Sequence, residues 1–200
     1  MRIRSFHRGL TLVIVLLVLS ACGAPYEFRG RIIDPPAPAP ELTLTDQRGQ
    51  PFRLSEQRGT VVVLFFGFTS CPDVCPTTLA DLATVRRRLG GNAASIQVVL
   101  VTVDPERDSA TKLSEYVALF DPTFLGLRGS TSELATVYKD FGVFVARTEL
   151  PNSALGYTMD HPTNISIIDR AGNWRLMFST GDAVDAIADD LRYLAQEQIE

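Results

Sequence analysis

The sequence predicts an α/β layered fold, and three observations carry that expectation. Val61–Phe66 and Ile96–Val103 are β-branched and apolar runs of the kind found in strands buried on both faces. Segments of helical apolar spacing alternate with such runs along the chain. A closing hairpin and an amphipathic terminal helix complete the order.

Each element has its own signal. Leu42-Thr43-Leu44-Thr45 and Phe52-Arg53-Leu54 alternate around Asp46-Gln47-Arg48-Gly49, which predicts an N-terminal hairpin. Val61–Phe66 follows as a buried strand. Thr77–Leu89 places Leu79, Leu82, Ala83, Val85 and Leu89 at helical spacing, and Gly90-Gly91 stops it. Ile96–Val103 is the second buried strand. Thr111–Phe120 reads as helix, Phe124–Leu127 as a short strand, and Ser132–Phe141 as helix closed by Gly142. Val143–Ala146 and Asn164–Ile168 read as strands, with Thr148–Thr163 between them as a long loop. Asp169-Arg170-Ala171-Gly172 turns into a strand at Trp174–Phe178. Asp182–Gln198 is a helix with Asp182 as its expected cap.

The start of the chain reads as an address rather than as fold. Arg2, Arg4 and Arg8 precede the apolar run Leu10–Leu19, which is too short to span a bilayer and has the length of a signal-peptide core. Leu19-Ser20-Ala21-Cys22 resembles a lipobox, whose cysteine is lipidated and becomes the new N-terminus. Residues 1–21 are thus expected to be a lipoprotein signal, 22–40 a Pro-rich membrane tether, and 41–200 the domain. The expected location is the periplasmic or extracellular face of a membrane. Removal of the signal takes Arg2, Arg4 and Arg8 from 19 basic residues, so 16 face 23 acidic ones, a formal charge of −7. That balance speaks against nucleic acid as a partner. It also leaves His161 as the only histidine, and Cys71 and Cys75 as the only free thiols.

Cys71-Pro-Asp-Val-Cys75 directly follows a buried strand and precedes a helix. Sites in open α/β folds gather at the carboxyl ends of strands, and a helix N-terminus favours a thiolate. Taken alone, the loop is compatible with a structural disulfide, a redox pair or a metal site. A bridge over so short a loop removes little chain entropy, so a purely stabilising role is poorly motivated.

Phe66-Gly-Phe-Thr-Ser-Cys-Pro-Asp-Val-Cys-Pro76 resembles the copper-binding loop of the Sco/SenC family. Val103-Asp-Pro-Glu-Arg-Asp108 is similar to that family's second motif, and Tyr157-Thr-Met-Asp-His161 to its third. The motifs stand in family order, and the likeness spans nearly all of residues 41–197. It implies a thioredoxin-like fold: a central mixed sheet flanked by helices, here with an added N-terminal hairpin. It implies copper, as Cu(I) or Cu(II), bound by Cys71, Cys75 and His161. It also implies a metallochaperone role in assembling the CuA centre of a cytochrome c oxidase, with the apo form of subunit II as partner. Periplasmic copper carriers and thioredoxin-like reductases are further candidate partners. Pro162 departs from the family pattern, which has a small hydroxyl residue there.

The chemistry of the residues agrees with copper. Soft thiolates suit Cu(I), imidazole suits copper, and the divalent series peaks at Cu(II). Structural zinc normally takes four protein ligands, although a Cys₂His zinc with an open position stays compatible. Asp73, Asp104 and Asp160 are candidate outer partners of the ligand set. Turn capping is the competing role for Asp104, and plain solvent exposure for the other two. Met159 and Met177 are expected to pack rather than ligate. The alternative function is a membrane-tethered thiol–disulfide oxidoreductase using Cys71 and Cys75 on the cysteines of an apo-oxidase subunit. No classical enzyme activity is expected beyond that.

Overall fold

The two continuous apolar runs form the middle of the sheet. The structure is a computed structural model that describes residues 26–198; the predicted signal and Cys22 lie outside them. Strands β1 (Arg31–Pro38), β2 (Thr43–Asp46), β3 (Pro51–Arg53), β4 (Val61–Gly67), β5 (Ile96–Thr102), β6 (Leu125–Arg128), β9 (Ile165–Ile168) and β10 (Asn173–Phe178) make one mixed sheet. Its order is β1-β10-β9-β4-β5-β6-β2-β3. The β4–β5 and β5–β6 pairs are parallel and the others antiparallel. All seven residues of β4 are buried, so both faces of this strand are covered. Burial of each such side chain is worth about 1.5–3 kcal/mol, which concentrates stability under the loop that follows β4.

Among the described residues four α-helices accompany the sheet, three between strands and one after the last: α1 (Val74–Leu89), α2 (Ala110–Ala118), α3 (Thr131–Asp140) and α4 (Val184–Gln196). α1 packs against α4, and α2 against β6. Ser109 caps α2 by accepting from Lys112 N, and Ser130 with Glu133 forms a reciprocal capping box on α3. Asp182 does not cap α4. Ala183 holds that position, because the Asp182 carboxylate is used one turn earlier, accepting from Ser179 N at 2.7 Å.

Two segments differ from the sequence expectation. Residues 31–38, expected within the tether, pair with β10 as an edge strand of the sheet. Proline suits an edge because it has no N–H to leave unpaired, so a Pro-rich run and a strand are compatible here. The stretch expected as a strand at Val143–Ala146 followed by a loop is a separate two-stranded hairpin, β7 (Ala146–Leu150) with β8 (Gly156–Asp160). Its residues are mostly exposed or half-buried, so they lack the apolar alternation by which strands are recognised. No helix among the described residues is long and apolar enough to cross a membrane.

Candidate metal centre

Cys71 lies half-buried in the loop after β4, and Cys75 is buried in the first turn of α1. Both are free thiols. The helix begins at Val74, earlier than the periodicity suggests, so the backbone N–H of Cys75 donates to Cys71 Sγ at 3.4 Å. Cys71 is thereby seated on the N-terminus of α1. Its ionisation is brought down to about 5, first by a hydrogen bond from the Cys75 thiol, then by the backbone N–H groups of Asp73 and Cys75 and by His161, against the opposing pull of burial. Cys75 is pushed the other way, because its proton serves Cys71 and its sulfur is buried.

The loop's position depends on groups elsewhere. A Cβ at Gly67 would lie 3.0 Å from Cys75 Sγ, so glycine is what lets the helix start so close to the strand end. Asp108 is fully buried, and among the described residues no cationic side chain pairs with it. Its carboxylate accepts from Thr69 Oγ1 and Thr102 Oγ1, each at 2.6 Å, and from Thr69 N at 3.2–3.3 Å. Burial pushes the Asp108 carboxyl up despite those bonds. Lys112 on α2 donates to Ser70 Oγ at 3.1 Å. Residues 69 and 70, which lead into Cys71, are thus held from the α2 side.

His161 follows directly on β8. Its Nε2 stands 4.0 Å from Cys75 Sγ, and its Nδ1 is 2.9 Å from the carbonyl oxygen of Pro162. A carbonyl only accepts, so Nδ1 is the donor there, and Nε2 is the ring nitrogen that faces the thiols. For zinc, metal–sulfur and metal–nitrogen bonds are about 2.3 and 2.0 Å, so a 4.0 Å separation lies within reach of one shared ion. The Phe68 ring meets His161 edge-on at 5.9 Å. Among the described residues no three Cys, His, Asp or Glu side chains enclose a common point as they stand. The arrangement is an open one, with Cys75 between Cys71 and His161.

The hairpin that carries His161 is fastened by Arg107. This side chain donates to the carbonyls of Leu155 (3.1 Å) and Tyr157 (3.0 Å) and pairs with the Asp104 carboxylate. Arg107 and Arg147 both lie over the Tyr157 ring, at 3.6 and 3.7 Å from its centre. The Tyr157 hydroxyl donates to Asp104 at 2.9 Å.

The three candidate aspartates therefore occupy different places. Asp104 is buried and serves the Arg107–Tyr157 clamp, while its carbonyl closes the turn before α2. Asp160 accepts from Thr148 Oγ1 at 2.5 Å across the hairpin, and the hydrogen-bond partner of His161 Nδ1 is the Pro162 carbonyl. Asp73 is exposed, and its backbone rather than its carboxylate reaches the Cys71 sulfur. Met159 lines a cavity of about 190 Å³ between the hairpin, α3 and the end of β5. Met177 Sδ accepts from Arg31 at 3.0 Å on the edge strand. Gly67, Arg107, Asp108 and Lys112 are not legible from residue type, since each acts through tertiary contacts.

These features define a class: a thioredoxin-like α/β domain with a dithiol at the strand-to-helix junction and a histidine brought to it by a hairpin. The SCO1/SenC family model matches residues 33–196. The chain belongs to the SCO1/SenC family. It is 35% identical over 183 residues to an SCO2-like protein of Rickettsia prowazekii, covering 88% of this chain and 86% of that one. It is 32% identical over 154 residues to the mouse mitochondrial SCO2 homolog, covering 76% of this chain and 60% of that longer one. Bradyrhizobium japonicum ScoI, solved with copper bound, is similar at a TM-score of 0.72 and 34% identity, over 79% of this chain and 99% of that one. Apo Sco1 from Thermus thermophilus is similar at 0.75 and 36%, over 86% and 99%.

Proposed function

We propose that the domain carries one copper ion on Cys71, Cys75 and His161 and delivers it to the CuA site of an apo-subunit II of a cytochrome c oxidase. The observation that carries this reading is His161 Nε2 facing Cys75 Sγ at 4.0 Å, with Nδ1 tied to the Pro162 carbonyl. Support also comes from relatives in Bradyrhizobium japonicum and Arabidopsis thaliana solved with copper bound.

In this reading the protein's own groups divide the work. Cys71, on the helix N-terminus, offers the first thiolate. Cys75 gives up its proton and becomes the second, since thiols ligate metals as thiolates. His161 supplies imidazole from the hairpin. Three ligands leave one side open for a ligand of the recipient to begin exchange. The same reading holds the domain outside the cytosol by lipid on Cys22, within reach of a membrane oxidase.

Anaerobic titration with Cu(I) and Cu(II) tests it. We expect about one copper per chain, and loss of tight binding in Cys71→Ser, Cys75→Ser and His161→Ala. If His161→Ala holds copper as tightly as wild type, the three-ligand site is wrong. Transfer from the loaded protein to an apo-subunit II fragment then tests the recipient.

A further inference from the structure

The end of the domain opposite the dithiol carries arginines that no carboxylate neutralises. β4 runs from Val61 to Gly67, so at a strand rise of about 3.3 Å per residue its start lies about 20 Å from the end that leads to Cys71. Three arginines gather at that start. Arg170 donates to the carbonyls of Gly59 (3.0 Å), Glu197 (3.1 Å) and Ala195 (3.3 Å). Arg58 adjoins Gly59 and lies against Gly172, where a Cβ would overlap its guanidinium. Arg87 is exposed on the last turn of α1, which Arg86 ties to the start of β5 through the carbonyls of Ala93 and Ile96. At the same end Asp121 pairs with Arg86, and Asp169 and Glu197 pair with Arg175. Arg58, Arg87 and Arg170 have no carboxylate partner among the described residues.

The free charge changes sign along the sheet. At the end that holds the site, Asp73, Asp140, Asp160 and Asp182 are exposed without a basic partner among the described residues, and Asp108 is buried beneath them. They outnumber the unpaired Arg31, Lys112 and Lys139 there.

The chain also enters from the basic half. Tyr26 is fixed on α4, its hydroxyl donating to Asp190 at 2.8 Å and its ring stacked at 4.1 Å on Tyr193, one turn before Glu197. Cys22 stands four residues before Tyr26, and four residues span at most about 14 Å. An anchor at that point, whether lipid on Cys22 or the apolar run retained, holds the bilayer within that reach of the stack. Tyrosine and other amphipathic rings suit the headgroup level, and arginines near an anionic leaflet are drawn to it.

We propose that this end is the membrane-docking face of the domain: Arg58, Arg87 and Arg170 rest on the headgroups of an anionic bilayer, the Tyr26–Tyr193 stack lies at its edge, and the dithiol faces away. The orientation rests on the anchoring included in the reading above.

The test places the full chain on vesicles of phosphatidylcholine alone, or of phosphatidylcholine and phosphatidylglycerol in equal parts, and follows hydrogen exchange. With phosphatidylglycerol we expect slower exchange at residues 86–92, 169–173 and 193–198, and no change at 71–75 or 156–161. The slowing should vanish in the double variant Arg58→Glu, Arg87→Glu, whose melting temperature and copper stoichiometry stay at wild type. It should vanish for wild type too at about 1 M salt, where the screening length falls to about 3 Å. Equal exchange on the two kinds of vesicle, or slowing at 71–75 and 156–161 instead, would overturn the proposal. If the chain does not float with phosphatidylcholine vesicles, the anchoring reading falls. Flotation with phosphatidylglycerol vesicles by wild type but not by the double variant then upholds the face, and equal behaviour of the two overturns it.

Discussion

At Gly67 a side chain has no room. A Cβ there would lie 2.9 Å from Phe65 Cε1, 3.0 Å from Cys75 Sγ and 3.1 Å from Leu100 Cδ1. Phe65 and Leu100 belong to paired strands in the buried centre of the sheet and cannot yield cheaply. The thiol of Cys75 is the neighbour nearest the loop, so strain would be relieved by shifting the start of α1. Gly67→Ala is therefore expected to cost about 1–3 kcal/mol in stability, as overpacking does. It should also weaken copper binding while the thiol count stays at wild type. Denaturant midpoints and competition with a Cu(I) chelator would measure the two effects. Wild-type affinity in this variant would mean that the close approach of Cys75 to the strand is incidental. Cys71, Cys75 and His161 are legible as candidate ligands from residue type and family resemblance together. Gly67 and Asp108 are not, because a missing Cβ and a buried carboxylate gain meaning only from what the fold places beside them.

The β7–β8 hairpin is the element that decides where His161 sits, and it is outside the main sheet. Its attachment runs through polar groups: Arg107 to two hairpin carbonyls, and the Tyr157 ring under two guanidinium groups. These contacts explain why the hairpin is invisible as periodicity. Its strands are fixed by charge and cation–π contact, not by an apolar face, so the chain reads as loop from Thr148 to Thr163. The buried runs Val61–Phe66 and Ile96–Val103 are legible for the opposite reason, since burial on both faces demands continuous apolar sequence. If Arg107 is the clamp, Arg107→Ala should free the hairpin and misplace His161. Groups that orient metal ligands are worth about 10–100-fold in affinity, and a loss of that order is expected for copper. Hydrogen exchange should accelerate at residues 146–160 but not in β4 or β5. Arg107→Lys keeps the charge but loses the forked geometry and should fall between the two. Unchanged exchange in the hairpin of Arg107→Ala would dismiss the clamp.

Across the whole molecule, the proposed delivery role requires that a domain tied at one end present its site in a defined direction. The N-terminal segment meets that need by docking rather than dangling. Asp190 on α4 is fully buried, and its carboxylate accepts from Tyr26 Oη at 2.8 Å, Gly30 N at 2.9 Å and Arg29 N at 2.9–3.1 Å. Tyr26 stacks on Tyr193 at 4.1 Å, and Phe28 meets the same ring edge-on at 5.4 Å. Strand β1 then continues along β10. Where the composition suggests a proline tether, the chain is a strap that joins the sheet edge to the last helix. The composition of the N-terminal segment could not reveal this, since the fastening residue lies 160 positions from Gly30. Asp190→Ala removes the acceptor of three donors at once. Two of them are backbone N–H groups, and the bond from Gly30 is buried. The loss should be about 2 kcal/mol, or a fall in melting temperature of about 4–8 °C for a domain of this size. Protease cleavage should appear first before residue 31, while copper stoichiometry stays at wild type because the proposed ligands lie in the loop after β4, on α1 and at the end of the hairpin. Cleavage that instead begins within the sheet would mean the arm is an integral part of the core, with no separable docking.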